Sequence, residues 1–353
     1  MKNTFRWLLK RKIRFFSARF RKQEPVIVNP IKVRRVAYYI AGGIGDAVMA
    51  FPALKFIQKK LPDAELTVFV PRGKYFLVSA LFENIRVRQF QLSPAFLILY
   101  GIPARRFDLV FTNTVGVFKL AVEIAAFCTG RIRCGFRYPE EGRYDRLYTI
   151  SQVFSDKVHA SEQNVRLVAE TVNMSFNEND SRLPVYVRDK DTNDKEVVIH
   201  PGSEIEYKNK RWPMKRFSAL ITRLLDNGFD VTVLLGPEES DLEEHFKKHG
   251  KVQVLVDPSP GVLIETLKNA GFFIGNDSGP AHIAAFYSVP EIVLFGPVQP
   301  ERSAPQSSNC IAIYNAVDCS PCHFSAKDCV DNMCMNSITV EQVWREVSTQ
   351  WIH

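Results

Sequence analysis

Asp46 closes the turn Ala41-Gly42-Gly43-Ile44-Gly45-Asp46, where backbone N–H groups collect at the start of a helix and favour anions. The glycines Gly42, Gly43 and Gly45 lack the G-x-G-x-x-G spacing of a dinucleotide fingerprint. A carboxylate standing where phosphate would bind also repels it. Asp46 therefore suits another task, taking a proton from a substrate hydroxyl. Capping its own helix is the competing use of the same oxygen lone pairs.

A second polar loop, Asn276-Asp277-Ser278-Gly279-Pro280-Ala281-His282, leaves an apolar run and opens a helix. Asp277, Ser278, Gly279 and the amides after them are placed to hold a diphosphate at that helix N-terminus, with His282 one turn in. As isolated letters the same residues also read as a helix cap and a core histidine. His200-Pro201-Gly202-Ser203 ends another apolar run, and Lys208, Lys210 and Arg211 follow before Trp212-Pro213. A cation there would neutralise a diphosphate leaving group; a solvated face is the plainer use. Glu238 and Glu239 follow a further strand at Gly236-Pro237, where a carboxylate suits ribose hydroxyls and equally a helix start. Cys319, Cys322, Cys329 and Cys334 offer four thiols in a short span, the first pair spaced C-x₂-C, which suits a structural zinc or iron ion. Disulfides and plain thiols are the alternatives.

The elements that must position these residues repeat one plan. Strand Val36–Ile40, the glycine turn, a helix to about Leu61 containing Pro52, and strand Glu65–Val70 make a βαβ unit, hence a parallel sheet. Leu109–Phe111 reads as a short strand, Val115–Cys128 as a buried helix, residues 131–160 as loop, and 162–173 as helix. Polar residues gather at 175–195, a linker. Strands then follow at Val197–His200, Asp230–Leu235, Val252–Val256, Phe272–Gly275 and Glu291–Phe295, with helices between them and a last helix at Val340–Val347. The reading is an α/β chain of two domains: a basic tail at 1–30, a first domain at 34–180, and a second at 195–335 holding the Cys-rich segment 310–334. Residues 338–353 form a C-terminal helix expected to return toward the first domain. Asp46 and the Asp277–His282 loop are expected to face one interdomain cleft.

Charge separates the tail from the body. The chain has 46 Lys and Arg against 38 Asp and Glu. Nine of the basic residues and only Glu24 fall in residues 1–30, leaving 37 of each sign beyond. In the tail Phe5, Leu9, Ile13, Phe16 and Phe20 share one helical face. Residues 1–22 therefore suit an anionic membrane surface, or packing on the protein itself or a partner. Nucleic acid is disfavoured, because no basic patch or base-reading motif appears elsewhere. The tail has no cleavage site of a signal peptide, and no stretch is long and apolar enough to span a bilayer. Five of the seven cysteines lie between Cys310 and Cys334, a local device rather than a secreted disulfide scaffold.

Together these pieces resemble glycosyltransferase family 9, the heptosyltransferases of bacterial lipopolysaccharide core assembly. The resemblance rests on Gly45-Asp46 with Pro52, Leu61-Pro62-Asp63-Ala64, His200-Pro201-Gly202-Ser203, Lys210-Arg211-Trp212-Pro213, Asp277 through Ala285, and Leu294-Phe295-Gly296-Pro297. It covers roughly residues 34–347 and implies the GT-B fold, two Rossmann-like domains. It implies an inverting transfer of heptose from ADP-heptose to a lipid A–core acceptor, with no cofactor required for catalysis. Asp46 then matches the general base, Lys210 a diphosphate contact, Glu238 the ribose acid, Ser203 a hydroxyl near the phosphates, and Asp277–His282 the donor loop. The resemblance also implies a cytoplasmic enzyme on the inner face of the inner membrane. Open alternatives are a related transferase with another sugar nucleotide or a protein acceptor, and a non-catalytic nucleotide-sugar-binding scaffold. An oxidoreductase or epimerase on the same plan is disfavoured by the missing G-x-G-x-x-G.

Overall fold

The computed structural model describes residues 27–40, 42–82, 84–90, 107–113, 130–137, 148–188, 193–322, 329 and 331–352. The tail helix and the helix expected at Val115–Cys128 lie outside these residues. The chain divides into two packing units. One holds residues 1–42, 50–155 and 161–181; the other holds 43–49, 156–160 and 182–353.

The first unit is built on β1 (Arg35–Ile40), β2 (Glu65–Pro71), β3 (Arg86–Phe90), β4 (Phe107–Asn113), β5 (Gly130–Arg137) and β6 (Ile150–Val153). Among the described residues they form one sheet in the order β3-β2-β1-β4-β5-β6, parallel throughout. Helices α1 (Ile44–Lys60), α2 (Tyr75–Leu81) and α3 (Ala160–Thr171) connect or flank them. The centre of β1 is apolar on both faces, as a doubly covered parallel strand requires, and Val36 through Ile40 are all buried. Helix α1 runs on through Pro52. The stretch expected to be loop at 131–160 instead holds β5 and β6. In β5, Ile132, Cys134 and Phe136 alternate with Arg131, Arg133 and Arg137. The arginines hid that period of two.

The second unit has β7 (Glu196–His200), α4 (Met214–Asp226), β8 (Asp230–Leu235), α5 (Glu243–Lys247), β9 (Gln253–Val256), α6 (Pro260–Asn269) and β10 (Phe272–Asn276). It continues with α7 (Gly279–Phe286), β11 (Glu291–Phe295), α8 (Pro300–Ser303), β12 (Cys310–Tyr314), α9 (Met333–Ser337) and α10 (Val340–Trp351). The strand order is β12-β11-β10-β7-β8-β9, again parallel. The chain winds from β7 out to β9 on one side and resumes at β10 on the other. The switch point therefore lies between β7 and β10, where loops part and leave a crevice at the carboxyl edge.

The C-terminal helix packs into the core of the second unit. Thr339 caps α10, accepting from Gln342 N–H at 3.1 Å while Gln342 accepts from Thr339 N–H at 2.8 Å. Val343, Trp344 and Val347 then lie in the core of the second unit with Phe217, Leu220, Ile221 and Leu224 of α4. Trp351 stacks on Phe272 at 4.1 Å. An apolar helical face this complete is satisfied by the nearest uncovered sheet.

Glu291, at the start of β11, is fully buried, and the Cys310 thiol is the polar group beside its carboxyl. Burial raises its pKa well above the carboxylate range, opposed in part by the Cys310 thiol, its register partner on β12. A raised folded-state pKa stabilises below the unfolded pKa, and that contribution is lost as pH rises through the folded value. Glu291→Gln is therefore expected to raise Tm at neutral pH, with the gain growing from acid pH upward. Thermal melts across pH check this; a gain that shrinks with pH would contradict it.

Candidate active site

The carboxyl edge of the second sheet collects the loops singled out in the sequence. Asn276, at the end of β10 and wholly buried, spans the switch point. Its Nδ2 donates to Pro201 O at 2.8 Å and Gly202 O at 3.1 Å, and its Oδ1 accepts from Trp212 N–H at 3.0 Å. The Trp212 indole N–H reaches Ile338 O at 2.9 Å. One amide thus fixes both ends of the loop that carries Lys210.

Lys210 Nζ donates to Asp277 Oδ2 at 2.5 Å, with the two side chains 15% and 8% exposed. Two residues 67 positions apart, each chosen for a diphosphate, are thereby brought into one buried ion pair. Beside them Ser278 caps α7 in extended conformation without a side-chain cap bond. Its Oγ is buried with no hydrogen-bond partner. A hydroxyl in that state at a helix N-terminus is a donor held ready for an anion. Gly279 lies close to Ile44: a Cβ built on it would stand 3.2 Å from the Ile44 Cβ.

The turn from Gly43 onward packs with this same unit, since residues 43–49 belong to it. Asp46 sits in the first turn of α1 and its Oδ2 accepts from Gly43 N–H at 2.7 Å. This is the reach-back half of a capping box, not the N-cap position itself. Its pKa is raised to about 6, chiefly by burial and also by Glu204, against the lowering effect of the Gly43 N–H, Lys210 and Arg302. A carboxylate tuned toward neutrality is suited to general-base work. Gly42 is partly exposed and Gly43 contributes its N–H. Gly45 is there for space: a Cβ on it would fall 2.7 Å from His282 Cδ2 and 3.0 Å from Nε2.

His282 is only 4% exposed. Burial, with His159 and Lys210 adding to it, lowers its pKa to about 4 against the opposing pull of Asp277. The imidazole is neutral at physiological pH, so it wedges Gly45 and offers a polar ring nitrogen, not a positive charge.

The remaining predicted residues divide. Ser203 is buried, and its hydroxyl donates to Tyr207 O at 3.0 Å and accepts from Arg211 Nε at 3.1 Å. It is committed to shaping its loop. Glu239 is 4% exposed, takes Arg211 at 2.5 Å and Gly236 N–H at 2.9 Å, and lies so near Gly202 that a Cβ there would meet its carboxyl carbon at 2.6 Å. Glu238, its neighbour, is exposed and remains the carboxylate presented at the strand end. Cys319, Cys322, Cys329 and Cys334 are free thiols. The Cys334 thiol is pushed up by burial and, to a smaller degree, by the other three. Among the described residues no three His, Cys, Asp or Glu side chains are arranged to hold a metal ion.

Sequence reasoning missed Asn276 as a brace and missed a short segment from earlier in the chain. Residues 156–160 pack in the second unit, where Asp156 pairs with the largely buried Arg302 at 2.6 Å and His159 Nε2 donates to Ala304 O at 2.8 Å. No local spacing announces such long-range partners.

Lipooligosaccharide heptosyltransferase 2 of Campylobacter jejuni is 23% identical over 331 residues, covering 88% of this chain and 96% of the relative. The structure of Escherichia coli ADP-heptose lipopolysaccharide heptosyltransferase II superposes with a TM-score of 0.68 at 18% identity, covering 89% of this chain and 98% of that one. The iron-containing dodecameric glycosyltransferase TibC of enterotoxigenic E. coli has a TM-score of 0.59 at 15% identity, over 92% of this chain and 77% of that one. The two parallel sheets, each flanked by helices, are those of the GT-B fold. The model of glycosyltransferase family 9 (heptosyltransferase) matches residues 101–332, and the chain belongs to that family of glycosyltransferases.

Proposed function

We propose that the chain transfers heptose, with inversion, from ADP-heptose to a lipopolysaccharide-core acceptor. The observation that carries this reading is the packing of Asp46, the Lys210–Asp277 pair and the unsatisfied Ser278 hydroxyl in one unit at the switch point. The donor follows from the relatives, which are named for heptose transfer, one of them from ADP-heptose.

In the step proposed, an acceptor hydroxyl attacks the anomeric carbon of the donor. Asp46 takes the proton. The bond from that carbon to the β-phosphate oxygen breaks, and ADP leaves with the electron pair. Lys210, the first amides of α7 and Ser278 Oγ receive the charge that grows on the diphosphate. Glu238 takes the ribose hydroxyls, since Glu239 is spent on Arg211 and Gly236. The step draws on protein groups alone. Mass spectrometry of products from ADP-heptose, other ADP- and UDP-sugars and core acceptors tests the reading; transfer from a different sugar nucleotide in preference to ADP-heptose would overturn it.

Lys210→Ala is expected to weaken ADP binding by about tenfold or more, the scale of one charge-assisted contact. It should also lower Tm, because the Asp277 carboxylate stays buried without its counter-ion. Adding Asp277→Asn should recover Tm without recovering ADP affinity. Unchanged ADP binding in Lys210→Ala, by calorimetry, would remove Lys210 from the diphosphate site.

We further propose a structural zinc or iron at Cys319, Cys322, Cys329 and Cys334, which requires the four thiols to draw together. Metal content of the purified chain tests it, and a metal-free protein of full stability overturns it. No helix among the described residues is long and apolar enough to cross a membrane. Attachment to the inner face of the inner membrane through residues 1–22 is the placement that fits a lipid-linked acceptor and a basic, apolar tail.

A further inference from the structure

The amino edge of the first sheet carries a surface that the transfer step does not use. All its described strands are parallel, so their starts share this edge. Ile27 is 91% exposed and Ile31 80%, and neither belongs to a loose strand of chain. Val28, directly after Ile27, is buried, as is Val33 beyond Ile31, and the turn Pro30–Lys32 is held by Asn29 Oδ1 accepting from Ile31 N–H at 3.1 Å. Two branched apolar side chains are thus held outward by anchored neighbours.

Cations surround them. Lys32, Arg34 and Arg35 are exposed and follow directly, Arg86 opens β3, and Arg131 is the second residue of β5. Arg35, Arg86 and Arg88 also line a notch of about 130 Å³ floored by Phe69 and Phe107. Among the described residues, Asp63, Glu65 and Asp108 are acids at this edge. Each already faces an arginine: Asp63 meets Arg34 at 3.6 Å, Glu65 meets Arg86, and Asp108 meets Arg131 at 3.8 Å. Asp108 Oδ2 also accepts from Arg34 and Arg35 N–H at 2.9 Å. The balance among described residues is cationic.

We propose that this edge is a docking surface for an anionic phospholipid bilayer. Ile27 and Ile31 enter at headgroup depth, and Lys32, Arg35 and Arg86 meet lipid phosphates. It deepens the membrane attachment read for residues 1–22, and rests on that reading for the choice of partner.

The test is co-sedimentation of the full-length chain with vesicles of phosphatidylglycerol and phosphatidylethanolamine, against pure phosphatidylcholine. Ile27→Glu with Ile31→Glu is expected to lower partitioning onto anionic vesicles about tenfold, with Tm and ADP affinity unchanged because both positions are exposed. Arg35→Gln with Arg86→Gln should lower it on anionic vesicles and leave the weak phosphatidylcholine binding alone. A tail variant carrying Lys10→Gln, Arg11→Gln, Lys12→Gln and Arg14→Gln should keep residual binding, which adding the Ile pair should lower further. Wild-type binding by the Ile pair would overturn the proposal, even where the tail variant is released and the tail reading stands. Wild-type binding by the tail variant, with loss in the Ile pair, would uphold the edge and remove the tail. No binding by the wild-type chain would overturn both.

Discussion

Asp46→Asn is expected to lower kcat by about 10²–10⁴-fold, the range of a positioned general base, while ADP affinity stays within a few fold. Asparagine keeps an oxygen for the Gly43 N–H at the position where Asp46 Oδ2 accepts at 2.7 Å, so the turn of α1 is retained. It also removes a carboxyl whose folded-state pKa is raised to about 6, chiefly by burial. Such a group stabilises below its unfolded pKa, and that stability is lost as pH rises through the folded value. The variant should therefore melt no lower than wild type at pH 8. Retained stability with lost turnover separates a catalytic role from a structural one. Loss of ADP binding in the same variant would count against the base assignment.

Gly45→Ala is the second large effect. The new Cβ would stand 2.7 Å from His282 Cδ2, closer than packed carbons tolerate. His282 has little room to move, being 4% exposed on α7. Overpacking of this kind costs about 1–3 kcal/mol, so Tm should fall by several degrees. Because Asp46 is the next residue and α7 carries Ser278, turnover should fall more steeply than stability. The double variant Gly45→Ala, His282→Ala should recover most of the lost Tm. A single Gly45→Ala variant with wild-type Tm and kcat would show that the contact is not tight in solution.

Much of the fold could be read from the chain because parallel strands buried on both faces are unbroken apolar runs. Glu291–Phe295 and Asp230–Leu235 were read to the residue. β5 is hidden where arginine occupies alternate positions, and β12 lies within the stretch 310–334 read as a Cys-rich segment. The partner of the C-terminal helix is not legible in the sequence, because an amphipathic face says that something is buried and not against what. At the site, a glycine turn and a polar loop after a strand are local signals and were legible. The Asn276 brace, the Asp156–Arg302 pair and the Glu239–Arg211 pair join distant positions, and their residue types have many ordinary uses. Glu238 and Glu239 looked alike as letters; burial distinguishes them.

His282 illustrates how environment redirects a residue. Histidine beside a diphosphate loop suggests a positive charge. Burial keeps this one neutral at physiological pH, with a pKa lowered to about 4. Its contribution is shape, packing against Gly45 at the start of α1, while in the proposed step Lys210 supplies the charge.

The most direct test of Asp46 as the base is the pH dependence of kcat/KM for heptose transfer. The proton must leave Asp46 before it can accept another, so wild-type activity should fall on the acid side with an apparent pKa of about 6. The residual activity of Asp46→Asn should lack that limb. A wild-type profile flat from pH 8 down through about 5, or an acid limb unchanged in Asp46→Asn, would contradict the assignment.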